Sequence, residues 1–131
     1  MSDVLYVSNA EDLQRAVALL ARSEFIALDT EFMRESTYYP ILCLVQAATA
    51  EGIALIDPLA LTDLQPLWDL LGQRHRVKVL HAARQDLEVM SQAPRSSITE
   101  IELPEGGGIP GPIFDTQLAA AFLGHSSQIG Y

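Results

Sequence analysis

The sequence predicts a mixed α/β sheet, and three observations carry that prediction. Three strand-like runs follow one another over short links between Phe25 and Asp57. From Thr62 onward the pattern changes to alternating helix and strand. The 131 residues are 49% hydrophobic and only 19% charged, which is enough apolar side chain for one packed core. Links this short do not hold the crossover of a dozen or more residues that parallel neighbours require, so the first three strands should form an antiparallel meander.

The elements follow in order. Asn9 is a good N-cap residue with Asp12 three positions on, and Leu13, Val17 and Leu20 recur at helical spacing to about Arg22. Phe25 to Phe32 is a run of strand formers, apolar on both faces until it ends in acids, as a central strand would be. Pro40 suits a strand entry, and Ile41 to Ala48 reads as the second strand; Gly52 to Asp57 follows across the turn at Thr49, Ala50 and Glu51. Thr62 is the expected cap of a helix through Leu64, Leu67, Trp68 and Leu71, ended by Gly72. Val77 to His81 is the fourth strand and Ala82 to Gln92 the next helix. Pro94 to Pro112, with Gly106, Gly107 and Gly108 in succession, reads as a loop in which Ile98 to Leu103 forms at most a short extended piece. Ile113 to Thr116 makes a short fifth strand that leads into a helix from Gln117 to Leu123.

Composition excludes several classes. The lone cysteine, Cys43, permits no disulfide framework and no cysteine-built zinc cluster, and fits a reducing, cytoplasmic setting. The start of the chain has no basic region followed by an apolar one, and no stretch approaches the ~18 apolar residues of a membrane span, so no membrane association is expected. No phosphate-binding G-x-x-x-x-G-K-[ST] loop and no G-x-S-x-G nucleophile elbow occurs. Eight basic residues against 17 acids give a net charge of −9, which argues against a general basic nucleic-acid binder.

Chemistry concentrates in three acids. In a strand, residues two apart point the same way with Cα atoms roughly 6 to 7 Å apart, so Asp29 and Glu31 face one spot at a strand end. Like charges converging there repel and lose solvation unless a cation or protons compensate them, and hard divalent ions are the usual compensation. A solvated strand end would carry the same two letters. On the following helix, at 100° per residue, Asp86 borders the apolar stripe of Ala83, Leu87 and Met90, whereas Glu88 looks outward. An inward carboxylate has a partner, for which Arg84 and Lys78 are the nearby cations. His81 at the strand end could be a ligand or a structural residue; His75 and His125 read as surface residues.

Six runs also closely resemble a known family in order and spacing. They are Phe25 to Arg34, Thr37 to Pro40, Leu42 to Gln46, Ala54 to Pro58, Leu80 to Glu88 and Phe114 to Ala120, and they are similar to bacterial ribonuclease D, a member of the DEDD 3′-5′ exonucleases. The resemblance implies a ribonuclease-H-like fold, in which the meander is joined to parallel strands with flanking helices. It implies that Asp29, Glu31 and Asp86 are catalytic and bind two Mg²⁺ or Mn²⁺ ions: Asp29 bridging both, Glu31 on the ion that activates water, Asp86 on the second. Thr30 and Phe32 lie where the terminal nucleotide would be contacted. The implied reaction removes nucleoside 5′-monophosphates from RNA 3′ ends, with tRNA precursors the family's typical substrate.

The family's third motif, Tyr-x-x-x-Asp on a later helix, has no counterpart here. The expectation is therefore a single 3′-5′ exonuclease domain over residues 1–131, cut before that motif, with little nuclease activity of its own. A non-catalytic exonuclease fold that binds nucleic acid or protein is the main alternative. A phosphohydrolase with an aspartate nucleophile would need a later lysine, and the sole lysine, Lys78, sits inside a strand.

Overall fold

The computed structural model describes residues 3–33, 41–91 and 112–125. In chain order they form β1 (Asp3–Val7), α1 (Ala10–Leu20), β2 (Phe25–Met33), β3 (Ile41–Thr49), β4 (Gly52–Ile56), α2 (Gln65–Leu71), β5 (Val77–Leu80), α3 (Ala83–Ser91), β6 (Ile113–Asp115) and α4 (Thr116–Phe122). One six-stranded sheet has the order β1-β4-β3-β2-β5-β6. β2, β3 and β4 pair antiparallel, which is the predicted meander, while β1 on β4, β5 on β2 and β6 on β5 are parallel. The predicted fold class holds. The expected loop over 94–111, the entry at Tyr38 to Pro40 and the last six residues lie outside the described residues.

Three local expectations are corrected. β1 was not anticipated: it has five residues at a sheet edge with only Val7 fully buried, too short a stretch to show alternation. Thr62 does not cap α2. The helix begins at Gln65 after Leu64, which offers no side-chain cap, and the Asp63 carboxylate instead accepts the Gln65 N–H at 2.9 Å, with Pro66 in the first turn. Thr116 belongs to α4 rather than to the strand, and Asp115 is its N-cap. The Asn9 cap of α1 is as predicted, its side-chain Oδ1 accepting from Asp12 N at 2.8 Å, a contact that stabilises a helix by about 1 kcal/mol.

Strand alternation divides the sheet into two unlike faces. Ile26 and Leu28 of β2, Val45 and Ala47 of β3, and Ala54 and Ile56 of β4 are buried in one cluster with Leu13, Ala16 and Leu20 of α1, Leu67, Leu70 and Leu71 of α2, and Ala83, Val89 and Met90 of α3, and Thr30 of β2 is buried on the same face. On the opposite face the register aligns Val4 and Tyr6 of β1, Phe25 of β2 and Phe114 of β6, all exposed. α4 contributes no buried residue. Among the described residues no helix is long and apolar enough to cross a membrane.

Two core positions make testable demands. Gly52 stands opposite Asp3 where β4 meets β1, and a Cβ there would lie 2.8 Å from the Asp3 carbonyl oxygen. Gly52→Ala should therefore push β1 off the sheet edge and destabilise by about 1–3 kcal/mol, measured by urea unfolding. Lys78 is fully buried on the helix side of β5, and its ammonium donates to the Arg76 carbonyl at 3.0 Å. Burial lowers its pKa from the usual 10.5. Between the lowered value and 10.5 the unfolded chain binds more protons than the folded one, so stability should rise with pH across that window. Lys78→Met should raise the melting temperature at pH 7 and flatten that alkaline gain; an unchanged pH profile would contradict the burial of a charged amine.

Candidate functional site

β2, β5 and β6 are parallel, so their carboxyl ends meet at one end of the sheet. β2 lies where parallel pairing with β5 gives way to antiparallel pairing with β3. In open α/β sheets, ligands commonly bind outside the carboxyl ends of the parallel strands. Each acid singled out from the sequence lies on or beside this end.

Asp29 and Glu31 are both exposed on the open face, with the buried Thr30 between them pointing to the helix side. The predicted convergence of the two carboxylates on one face is therefore present. Asp29 Oδ1 accepts the Thr30 N–H at 2.9 Å. The β2–β3 register shifts between Glu31 and Phe32, the kind of irregularity that re-aims a side chain at a strand end. Phe32 is partly buried and packs against the core, so its ring is at least partly committed to packing.

Asp86 is 8% exposed, inward as the helical geometry predicts. Its partner is neither Arg84 nor Lys78. The Thr30 hydroxyl donates to Asp86 Oδ1 from the neighbouring strand. Burial pushes the Asp86 pKa above the usual carboxylate value; the Thr30 hydroxyl and N–H pull it down, while the charges of Asp29 and Glu31 push it up again. The three carboxylates thus share one electrostatic neighbourhood. They approach the end of β2 from both of its faces, and among the described residues no three Asp, Glu, His or Cys side chains are gathered to hold one ion. The donor set suits a hard divalent cation in chemistry, because all three side chains offer carboxylate oxygens and carry like charge.

A fourth acid does structural work that composition did not single out. Asp115, at the end of β6, accepts N–H bonds from Ala82 at 3.0 Å and Ala83 at 2.8 Å, and caps α4 through Gln117 N at 2.9 Å. Burial raises its pKa, but these N–H groups outweigh that and hold it below the usual value. Ala82, with φ of 54°, makes the tight left-handed entry to α3. Beside it, Thr116 Oγ1 donates to the Leu80 carbonyl at 3.3 Å and lies 2.9 Å from His81 Nδ1. His81 is thus tied to the β5–β6 junction. The signal was an aspartate immediately before a helix, the usual place for a cap.

Comparison with known proteins identifies the family and supports the fold. Ribonuclease D of Bartonella henselae is 41% identical over 126 residues, 95% of this chain and 28% of that protein. Ribonuclease D of Gluconacetobacter diazotrophicus is 43% identical over 130 residues, 98% of this chain and 30% of that protein. The chain therefore spans less than a third of the length of these curated relatives. Among solved structures, Escherichia coli RNase D, described as an exoribonuclease involved in structured RNA processing, superposes with a TM-score of 0.81 at 36% identity, covering 98% of this chain and 31% of that one. Trypanosoma brucei RNase D in complex with RNA U12 gives 0.66 at 26% identity over 88% of this chain and 38% of that one. The family model for 3′-5′ exonuclease matches from residue 4 to residue 131. Since that match runs nearly end to end, this chain belongs to the 3′-5′ exonuclease family.

Proposed function

We propose that the chain is the metal-binding part of a 3′-5′ exoribonuclease that acts in the cytoplasm on RNA 3′ ends, tRNA precursors among them. The observation that carries this reading is the shared electrostatic neighbourhood of Asp29, Glu31 and Asp86 about β2: burial first, and then the charges of Asp29 and Glu31, make Asp86 harder to ionise. Asp29, Glu31 and Asp86 would hold Mg²⁺ or Mn²⁺. Two such ions, when bound, supply a hydroxide from water and stabilise the oxygen that leaves. The overall reaction would be hydrolysis of the last phosphodiester: the oxygen of water bonds to phosphorus, the bond from phosphorus to the 3′ oxygen breaks and that oxygen takes up a proton, giving a nucleoside 5′-monophosphate and an RNA shorter by one residue with a free 3′ hydroxyl.

Within the chain, Asp29 and Glu31 present their carboxylates from the open face, and Thr30 fixes Asp86 between strand and helix. Bound cations would also answer the objection raised by the net charge, because phosphate meets local positive charge whatever the sign of the whole chain. Tyr-x-x-x-Asp occurs nowhere in the sequence, so hydrolysis by these 131 residues alone is expected to be weak.

The test is incubation of the purified chain with 3′-labelled RNA and Mn²⁺, alongside Mn²⁺ titration by calorimetry. Mn²⁺ binding that Asp29→Asn removes, with slow release of labelled 5′-monophosphate at most, is the expected result. Fast release that depends on Asp29 would show that the third motif is dispensable. A metal-free binding module is the second reading, favoured by the dispersal of the three carboxylates around β2. It predicts no Mn²⁺ binding by the wild-type chain, together with unaltered RNA affinity in Asp29→Asn.

A further inference from the structure

The turn from β5 into α3 is an unusual place to anchor a helix that carries a site residue. Ala82 adopts a left-handed conformation that a β-carbon disfavours. The first N–H groups of a helix have no partner within it. In this chain the N–H groups at the α3 entry are taken by a residue more than thirty positions away, with Asp115 Oδ1 on Ala82 and Oδ2 on Ala83. The same Oδ1 accepts from Gln117 at the start of α4. One carboxylate therefore joins the end of β6 to the starts of two helices. Thr116 adds a second tie across the same seam, through the Leu80 carbonyl.

Three residues beyond Ala83 along α3 is Asp86, whose carboxylate rests on the Thr30 hydroxyl. A helix turn anchored at its first residues is fixed in position and rotation at the next few, and a rotation of one residue, 100°, would carry Asp86 off Thr30. The bond to Thr30 acts at one point only. A second restraint, at the entry of α3, fixes the rest of its position.

We infer that Asp115 is a positioning residue of the exonuclease site, which clamps the entry of α3 through Ala82 and Ala83 so that Asp86 stays on Thr30 at the end of β2. This rests on the assignment of Asp86 as a metal-binding carboxylate, although the clamp itself can be tested without metal. Asp115→Asn is nearly isosteric. Its amide NH₂ must face at least one of the three N–H groups, so the clamp is broken without opening a cavity.

The first measurement is a double-mutant cycle of Asp115→Asn with Thr30→Val, read as melting temperatures of the 131-residue chain. Each single change should lower the midpoint by several degrees, roughly 3–6 °C. With the clamp gone, α3 no longer presses Asp86 onto Thr30, so the double variant should fall by clearly less than the two changes combined. The second is Mn²⁺ affinity at a temperature where every variant is fully folded: Asp115→Asn should weaken it about tenfold, as loss of a ligand's supporting hydrogen bonds does. An additive cycle overturns the inference. So does unchanged Mn²⁺ affinity in folded Asp115→Asn, which would make Asp115 a helix cap and nothing more. If wild-type and Asp29→Asn chains respond alike to Mn²⁺, the metal assignment fails, and the cycle still decides whether Asp115 positions Asp86.

Discussion

Mn²⁺ at about a hundredfold over its dissociation constant should stabilise the wild-type chain by about 2.7 kcal/mol, a rise of roughly 10 °C in melting temperature, and Asp29→Asn should show almost none of it. The size follows from linkage, since an ion that binds only the folded chain adds its binding free energy to folding. The direction follows from the site. Asp29 and Glu31 stand exposed on one face of β2 with Asp86 buried behind Thr30, and their mutual repulsion contributes to the raised pKa of Asp86. A divalent cation removes that repulsion. Asparagine at 29 keeps the shape and the bond to Thr30 N while withdrawing one charge and one strong ligand. Any metal-dependent RNA hydrolysis should fall with it by about 10³-fold, the scale on which a single electrostatic contributor acts. Differential scanning fluorimetry with and without Mn²⁺ reads the first effect and a labelled RNA the second. A full thermal gain in Asp29→Asn would place the metal elsewhere on an acidic surface.

The meander was legible because β2, β3 and β4 are apolar runs joined by links that leave no room for a crossover, so their antiparallel direction follows from link length alone. The inward aim of Asp86 was legible too, because it depends only on the 100° step of a helix against its own apolar stripe. Its partner was not. Which strand α3 crosses is a tertiary matter, and the hydroxyl that meets Asp86 belongs to a residue 56 positions earlier. The two cations nearby in sequence were misleading guides: Arg84 is exposed, and Lys78 points into the core, where its ammonium donates a hydrogen bond to the Arg76 carbonyl. Asp115 lies in the run from Phe114 to Ala120 that resembles ribonuclease D, yet its work on Ala82 and Ala83 depends on β6 lying beside β5, a pairing that no local pattern encodes. β1 escaped notice for the opposite reason. Its register partners on β4 define it, and five residues at an edge carry little signal of their own.

The largest purely structural effect is expected from Ile26→Ala, which should destabilise the chain by about 3 kcal/mol and lower its melting temperature by roughly 12 °C while leaving the Mn²⁺ increment in place. Ile26 is wholly buried near the start of β2, on the face that α1, α2 and α3 cover, and the register sets it directly beside Lys78. Removing its outer carbons leaves a cavity that neighbouring strands cannot close, because β3 and β5 are both hydrogen-bonded to β2. The cavity would also adjoin a buried ammonium whose partner is one carbonyl. Water admitted there solvates the amine, so part of the loss is returned, and Ile26→Ala should cost more in a Lys78→Met background than in the wild type. Equal costs in the two backgrounds would show that Lys78 gains nothing from the space. The Mn²⁺ increment survives because Asp29 and Glu31 lie further along the strand on its other face, and their placement depends on the backbone pairing with β3 rather than on the side chain at 26. A strand that loses core packing yet keeps its metal response would separate what holds β2 in the sheet from what its carboxyl end does.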